Sequence, residues 1–224
     1  MARQPLLIRL LWGAVIFLVL VGIAAVTRRT VVLVSPPPAN PGGAAAALDA
    51  HFAGHVLPTL AHILPAALFL VLGPLQFVVS IRQKHPQFHR WSGRVFLLAS
   101  AATGVTGLAL SLGKTIGGLD EKSATILFGT FFLVALGRAL WHARHREFAQ
   151  HRAWMIRGYA IGLAVATIRP SMGAFFAAAV FRGRVPQPSQ FFGAAFWIGF
   201  TVQTIVAELW IRSTRAAAPA AELS

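Results

Sequence analysis

The sequence has no cysteine and few charged residues. The absence of cysteine excludes disulfides, iron–sulfur clusters and thiolate chemistry, and it does not identify a compartment. Only 12% of the 224 residues are charged and 56% are hydrophobic, whereas a soluble domain has roughly 25% charged residues. A water-soluble fold of this size could not cover its surface with so few charges. The composition therefore favours a membrane protein.

Acidic residues are the scarcest charges, since six Asp and Glu face twenty Lys and Arg, a formal net charge of +14. No carboxylate falls in the middle of an apolar run, which argues against a proton pump built on an Asp or Glu relay. A strongly basic chain often binds nucleic acid. Here the bases cluster in short loops between apolar runs, so they predict orientation in a membrane and no nucleic-acid partner.

Hydrolase motifs are also missing. The sequence contains no Walker loop, no His-Glu-x-x-His zinc helix and no Gly-x-Ser-x-Gly elbow. Each of these motifs places a phosphate cradle, a metal or a nucleophile at a fixed spacing. Their absence leaves hydrolase functions without support.

Long apolar runs are abundant, and each approaches or exceeds the ~20 residues that cross a ~30 Å hydrocarbon layer as a helix. Six are present, at about 10–26, 59–81, 95–112, 124–140, 157–180 and 191–211. The membrane core has no water for unpaired backbone groups, so each run is predicted to be a helix. We expect an all-α polytopic membrane protein with six transmembrane helices and a four-helix core made of spans two to five.

The organisation of the chain follows from these runs. We expect a first transmembrane helix in 1–34, a Pro- and Gly-rich outer loop in 35–58, the four-helix core in 59–180, the last transmembrane helix in 181–212 and an unstructured tail in 213–224. Within the loop, 44–56 is predicted to form a short interfacial helix. The first run could be a cleaved signal peptide, but its length and the Arg28-Arg29 pair after it favour a retained span.

Loop charge predicts the orientation. If the six spans alternate in direction, most Lys and Arg fall on the side of the N-terminus. Cytoplasmic loops carry an excess of these residues. Both termini are therefore expected in the cytoplasm.

The second run carries residues spaced by seven, namely His55, His62, Phe69 and Gln76. Residues at this spacing share one face of a helix. His62 lies well inside the span, near its outer end, and intramembrane ionisable residues are functional candidates. His62 and Gln76 are therefore candidate cofactor-binding residues. A neutral imidazole that bonds a neighbouring helix is the alternative for His62.

Two basic elbows with histidines, 82–94 and 151–157, lie between apolar runs and suggest an internal duplication. His89 lies about five helical turns before Gly107, and His151 lies about five turns before Arg169. Small residues share or flank these two faces, namely Gly93, Ser100, Gly104, Gly107 and Ser111 in one run and Gly158, Gly162, Ala166 and Gly173 in the other. Membrane helices approach one another closely along such stripes.

His89 and His151 are thus predicted to point inward at the cytoplasmic end of the bundle. Two inward imidazoles on different helices could ligate haem b or form part of a metal site. The alternative is that both histidines lie among arginines at the interface and anchor the chain to lipid phosphates.

Arg169 is an unusual residue because it lies within the fifth run, with Pro170 after it. A buried guanidinium needs an anionic partner or several carbonyls. Its partner is expected to be a ligand acid group, a lipid phosphate or helix-end carbonyls; the alternative is a side chain that reaches the outer interface. His142 and His145, near Glu147, are expected to form a solvated loop. Glu208 is expected to pair with Arg212, one turn later on the same helix.

Several ordered segments together resemble a family of predicted bacterial multi-pass membrane proteins, known as domain of unknown function 2306. The segments are His62, Gly73-Pro74-Leu75-Gln76-Phe77, Arg82, His89-Arg90-Trp91-Ser92-Gly93-Arg94, His151-Arg152-Ala153-Trp154-Met155-Ile156-Arg157 and Arg169. The resemblance covers about 48–173 and implies the bacterial cytoplasmic (inner) membrane. The general pattern is similar to four-helix haem b membrane proteins, which is an analogy of fold alone.

Three functions stay open on the sequence. The first is a redox protein that holds haem b through His89 and His151, or exchanges electrons with a quinone, with His62 and Arg169 as an outer polar site. The second is a non-catalytic structural or assembly subunit of a membrane complex. The third is a carrier of a small anion or lipid, with Arg169 as the counter-charge. The expected partners are the lipid bilayer and either a quinone or other subunits.

Overall fold

The computed structural model describes residues 6–35, 44–113 and 115–220, with side chains for 6–35, 48–113 and 115–214. The helices of these residues are named in chain order: α1 Leu6–Val34, α2 Ala44–Ala53, α3 Val56–Phe77, α4 Val79–Lys84, α5 Pro86–Leu112, α6 Gly118–Arg144, α7 Phe148–Phe181 and α8 Pro188–Ala220.

Six of the described helices, α1, α3, α5, α6, α7 and α8, are long and apolar enough to cross a membrane. This confirms the predicted six-span, all-α membrane protein. The short α2 lies where the sequence predicts a helix in 44–56. The last helix continues through 213–220, for which an unstructured tail is predicted. The expected loop residues 36–43 and the last four residues lie outside the described part of the chain.

Two helices begin before the apolar part of their runs. Proline suits the first position of a helix because its missing N–H would have no partner there, and α5 begins at Pro86. The fifth span, α7, begins at Phe148. Consequently both His89 and His151 lie on helices. The second run is divided, because Val78 has an extended conformation between α3 and α4.

The chain divides into two compact units, Met1–Thr103 and Gly104–Ser224. In the first unit α1 packs against α3, and two arginines of α1 form ion pairs with Asp49 of α2. Arg28 donates two hydrogen bonds to the Asp49 carboxylate, at 3.0 and 2.7 Å, and Arg29 donates one at 2.7 Å. The Arg29 guanidinium is buried and lies 4.2 Å from the centre of the Phe52 ring.

The Arg28 hydrogen bond holds the pKa of the Asp49 carboxyl below its ordinary value. A carboxyl whose pKa is lowered by folding contributes stability above its unfolded pKa, about 3.9 for Asp, and loses it as the pH falls through the folded pKa. The contact between α1 and α2 is therefore intact at neutral pH and is lost only in strong acid.

In the second unit α8 packs against both α6 and α7. Phe128 of α6 stacks on Phe200 of α8 with ring centres 4.9 Å apart. The backbones of α7 and α8 approach closely at Gly199, where an added Cβ would lie 3.1 Å from the Ala164 carbonyl oxygen. The sixth span, which we expected outside the core, is thus part of the packed centre of this unit.

A carboxylate and a guanidinium also join α7 to α8. Arg157 donates through Nε and Nη2 to the two oxygens of Glu208, the second bond at 2.9 Å. The two side chains are 16% and 32% exposed. Such a bidentate pair is stronger than a single contact and fixes the register of the two helices. The sequence indicated a partner on the same helix, and this contact across helices was missed.

The helices α6 and α7 end in the same hydrogen-bond pattern, a Schellman motif. At the end of α7, Gly183 N–H bonds Val180 and Arg184 N–H bonds Ala179. At the end of α6, Arg146 N–H bonds Ala143 and Glu147 N–H bonds His142. Both motifs need a left-handed residue, and the φ angles are 67° for Gly183 and 60° for Arg146.

Exchanging the residue types at these two positions should change stability in opposite directions. A side chain in the left-handed region costs about 1–2 kcal/mol, partly offset by the extra freedom of glycine in the unfolded chain. Gly183→Ala should therefore lower the free energy of unfolding by about 1 kcal/mol, and Arg146→Gly should raise it by up to about 1 kcal/mol. Unfolding in detergent micelles measures both changes.

The control for this pair is Gly173→Ala, since nothing lies within 4 Å of a methyl group added there. Alanine is the better helix former by about 0.5–1 kcal/mol, so this variant should be slightly more stable than the parent. A loss of stability for Arg146→Gly would contradict the account.

A double-mutant cycle measures the contact between α7 and α8. Arg157→Gln and Glu208→Gln each leave one charge without its partner, so each should lower the free energy of unfolding. For side chains between buried and exposed, the expected coupling energy is about 1–2 kcal/mol. A coupling energy near zero would show that the contact contributes no stability.

Candidate functional site

In the first unit, α3 and the first part of α5 are antiparallel neighbours joined by three contacts. The pairs, in order along α3, are His62 with Thr103, Phe69 with Phe96 and Gln76 with Ser92. The three α3 residues are those that the sequence places on one helix face by their spacing of seven. That face is therefore the one that packs against α5, and we call these contacts the α3–α5 seam.

The imidazole of His62 is half-buried, and its Nδ1 lies 3.0 Å from the Thr103 carbonyl oxygen. A carbonyl oxygen can only accept a hydrogen bond, so Nδ1 carries the proton. In the neutral imidazole, Nε2 is then the nitrogen with a lone pair. The alternative given for His62, an imidazole that bonds a neighbouring helix, is therefore present in the structure. The same contact makes Nε2 the ring nitrogen that could bind a ligand.

Gln76 has a structural partner in the seam. Its Nε2 donates to Ser92 Oγ at 2.9 Å, and the residue is 8% exposed. The amide fits because Gly93 has no side chain: an added Cβ would lie 3.1 Å from Gln76 Oε1. The Ser92 hydroxyl donates in turn to the Phe88 carbonyl at 2.7 Å. The side chain of Gln76 thus joins two helices.

His89 lies on the face of α5 that meets α3, because it precedes Phe96 by seven residues and Thr103 by fourteen. Fourteen residues of helix are about 21 Å long. The seam therefore has His62 near one end and His89 near the other. His89 is half-buried.

In the second unit, His151 of α7 makes the same type of contact as His62. Its Nδ1 lies 2.8 Å from the carbonyl oxygen of Ala139 on α6, so Nδ1 again carries the proton. His151 is half-buried. Farther along α7, Gly158 faces α6, with the position of an added Cβ 3.4 Å from Leu136. Gly173, predicted beside the same stripe, is exposed and faces open space.

The two elbows share a contact that supports their relationship. In the first, the Arg94 guanidinium lies 4.6 Å from the centre of the Trp91 ring. In the second, Arg157 lies 4.7 Å from the centre of the Trp154 ring. Each pair is separated by three residues at the start of a helix. Cation–π contacts of this kind hold an indole and a guanidinium together where lipid meets water.

Arg169 is exposed on α7, as is Pro170. Two residues before it along α7, Thr167 Oγ1 accepts a hydrogen bond from Gln203 Nε2 of α8 at 3.0 Å. Ser171 Oγ donates to the Thr167 carbonyl, also at 3.0 Å. The sequence did not identify this polar contact between α7 and α8, because neither Gln203 nor Thr167 belongs to a recognisable motif.

The prediction of a solvated loop at His142 is wrong. The residue is only 6% exposed, and its Nδ1 bonds the Glu147 carboxylate. The left-handed Arg146 turns the chain back so that Glu147 reaches the preceding helix. Glycine would have marked this turn in the sequence, whereas arginine does not. His145 is exposed, as expected.

Within the described residues, no group of three or more His, Cys, Asp or Glu side chains is arranged to hold a metal ion. A haem iron needs only one or two axial protein ligands. The metal ligands His89 and His151, and the cofactor-binding set His62, His89, His151, Arg169 and Gln76, stay predictions.

Comparison with known proteins identifies the family of this chain. Searches of curated proteins and of solved structures found no match. The model of the family described as "Predicted membrane protein (DUF2306)" matches residues 59–211. The match covers α3 to most of α8, and so includes the seam, both elbows and Arg169. The chain is therefore a multi-pass membrane protein that belongs to the DUF2306 family.

Proposed function

We propose that this chain is a membrane redox protein that binds haem b through histidine or exchanges electrons with a quinone. The observation that supports it is the hydrogen bonding of His62 and His151. Each imidazole donates through Nδ1 to a backbone carbonyl of the neighbouring helix. Metal-ligating histidines almost always donate their other ring N–H in this way, which fixes the tautomer and the orientation of the ring.

The half-buried imidazoles of this chain are of the chemical type that ligates haem iron. In the neutral ring, Nε2 of His151 has a lone pair, and its half-buried position on α7 restricts the imidazole to one orientation. His89 would be the second ligand, on the seam face of α5. Bound haem would supply one-electron chemistry, while the chain supplies orientation and tunes the potential.

The remaining predicted residues have supporting roles. His62 would present Nε2 near the other end of the α3–α5 seam, where it could accept a hydrogen bond from a quinol. The exposed guanidinium of Arg169 would meet a propionate or a quinone oxygen. The Gln76–Ser92 bond would hold α3 and α5 in register.

The proposed location is the bacterial inner membrane, with both termini in the cytoplasm. In the second unit the exposed arginines Arg144, Arg146, Arg152 and Arg212 lie at the end where α6 finishes and α7 begins. The opposite end carries fewer described basic residues, Lys122, Arg182 and Arg184. The excess of basic residues supports a cytoplasmic position for the first of these ends.

The visible spectrum of the purified chain tests the redox proposal. After expression with added haem, the protein should show a Soret band and a reduced-minus-oxidised difference spectrum. His151→Ala and His89→Ala should each lower the bound haem per chain by about tenfold or more, because a lost axial ligand removes a bond to iron. Pyridine haemochrome absorbance measures the haem content.

His145→Ala is the matched control. His145 is exposed, and its Nδ1 bonds Trp141 within its own helix. This variant should keep the haem content of the parent. A parent chain without a Soret band or extractable haem would contradict haem binding, and an equal loss in all three variants would indicate a general loss of folding.

The second candidate is a structural or assembly subunit of a membrane complex, which one observation favours. Polar side chains of the spans, such as Gln76 and Gln203, are used to join neighbouring helices. In this case the chain should co-purify with other subunits in stable stoichiometry and without a chromophore. A carrier of a small anion or lipid stays a third proposal, in which the exposed Arg169 is the counter-charge.

A further inference from the structure

A cavity of about 590 Å³ lies at the end of the second unit where α7 finishes and α8 begins. One wall is aromatic, because Phe191 of α8 stacks on Phe175 of α7 with ring centres 5.5 Å apart and planes 13° apart. Arg182, Arg184 and the Gln190 amide also line it. The volume falls within the roughly 300–1,000 Å³ of small-molecule sites.

The two arginines of this cavity are placed by the end of α7. Gly183, with φ of 67°, lies between them and closes the Schellman motif through which Arg184 N–H bonds the Ala179 carbonyl. The backbone that carries both guanidinium groups is therefore fixed. Among the described residues, the ion pairs involve Arg28, Arg29, His142 and Arg157, and no carboxylate is paired with Arg182 or Arg184.

The cavity extends from the apolar spans of α7 and α8 into the connection between them. The apolar span of α7 ends at Phe181 and that of α8 begins at Pro188. Phe175 and Phe191 lie within the spans, whereas Arg182 and Arg184 lie in the connection. Phe181, the last residue of the α7 span, is 91% exposed. The apolar wall thus lies on the membrane side and the cations on the water side.

We infer that this cavity binds the headgroup of an acidic glycerophospholipid. The phosphate would accept hydrogen bonds from Arg182 and Arg184, since guanidinium groups bind phosphate oxygens in a bidentate manner. The Gln190 amide would contact the polar headgroup, and the first part of an acyl chain would lie against Phe175 and Phe191. This site is separate from Arg169, which lies thirteen residues before Arg182, about 20 Å along α7.

Lipid binding by the full-length chain in detergent micelles tests the inference. Native mass spectrometry would measure the affinity for phosphatidylglycerol and for phosphatidylcholine. Inorganic phosphate, added in a competition arm, distinguishes a lipid site from a site for a free anion. The parent should prefer phosphatidylglycerol, and Arg182→Gln/Arg184→Gln should bind it about tenfold or more weakly because two charge-assisted contacts are lost.

The matched control is Arg144→Gln/Arg212→Gln, which removes the same charge from exposed positions at the opposite end of this unit. This variant should keep the preference for phosphatidylglycerol. An equal loss in the two double variants would overturn the inference, because it would reflect net charge alone. Competition by millimolar inorganic phosphate would also overturn it in favour of a free-anion site.

A second double variant tests the inference if Arg182→Gln/Arg184→Gln fails to fold. Arg182→Lys/Arg184→Lys keeps the charge but removes the planar fork, and it should bind phosphatidylglycerol several-fold more weakly than the parent. Affinity equal to that of the parent would contradict recognition of the phosphate by the two guanidinium groups.

Discussion

The absence of water from the hydrocarbon layer is the constraint on which the rest of this structure depends. A polar group in a span must find a partner within the protein, because an unsatisfied group there costs several kcal/mol. The backbone meets this demand by forming helices. Some polar side chains meet it by bonding across helices, as His62 does to Thr103, Gln76 to Ser92 and Gln203 to Thr167. Others bond a carbonyl of their own helix, as Ser100 does to Phe96. The bonds across helices also determine which helix faces meet.

Features that depend on local periodicity could be predicted from the sequence. The length of each apolar run gave the six spans, since a helix must be about 20 residues long to cross the layer. The spacing of seven between His62, Phe69 and Gln76 predicted a shared face, and the structure packs that face against α5. The similarity of the two elbows could be read from their residues, and each elbow contains an arginine over the ring of its tryptophan, Trp91 or Trp154.

Features that depend on distant partners could not be predicted. The Arg157–Glu208 contact joins residues 51 positions apart, and the spacing of charges along one helix gives no hint of it. The burial of His142 follows from a left-handed turn at Arg146, a conformation that arginine seldom adopts. The roles of the candidate site residues depend on a ligand, which the residue types limit but do not identify.

The lengths of the last two spans have a consequence for the surrounding bilayer. With 34 and 33 residues, α7 and α8 are each about 50 Å long, much more than the hydrocarbon layer. Such helices must tilt or extend beyond the lipid. Because the close approach at Gly199 and the Arg157–Glu208 contact hold the two together, any tilt is shared by both helices. A change in membrane thickness that alters the inclination of one helix would therefore alter that of the other.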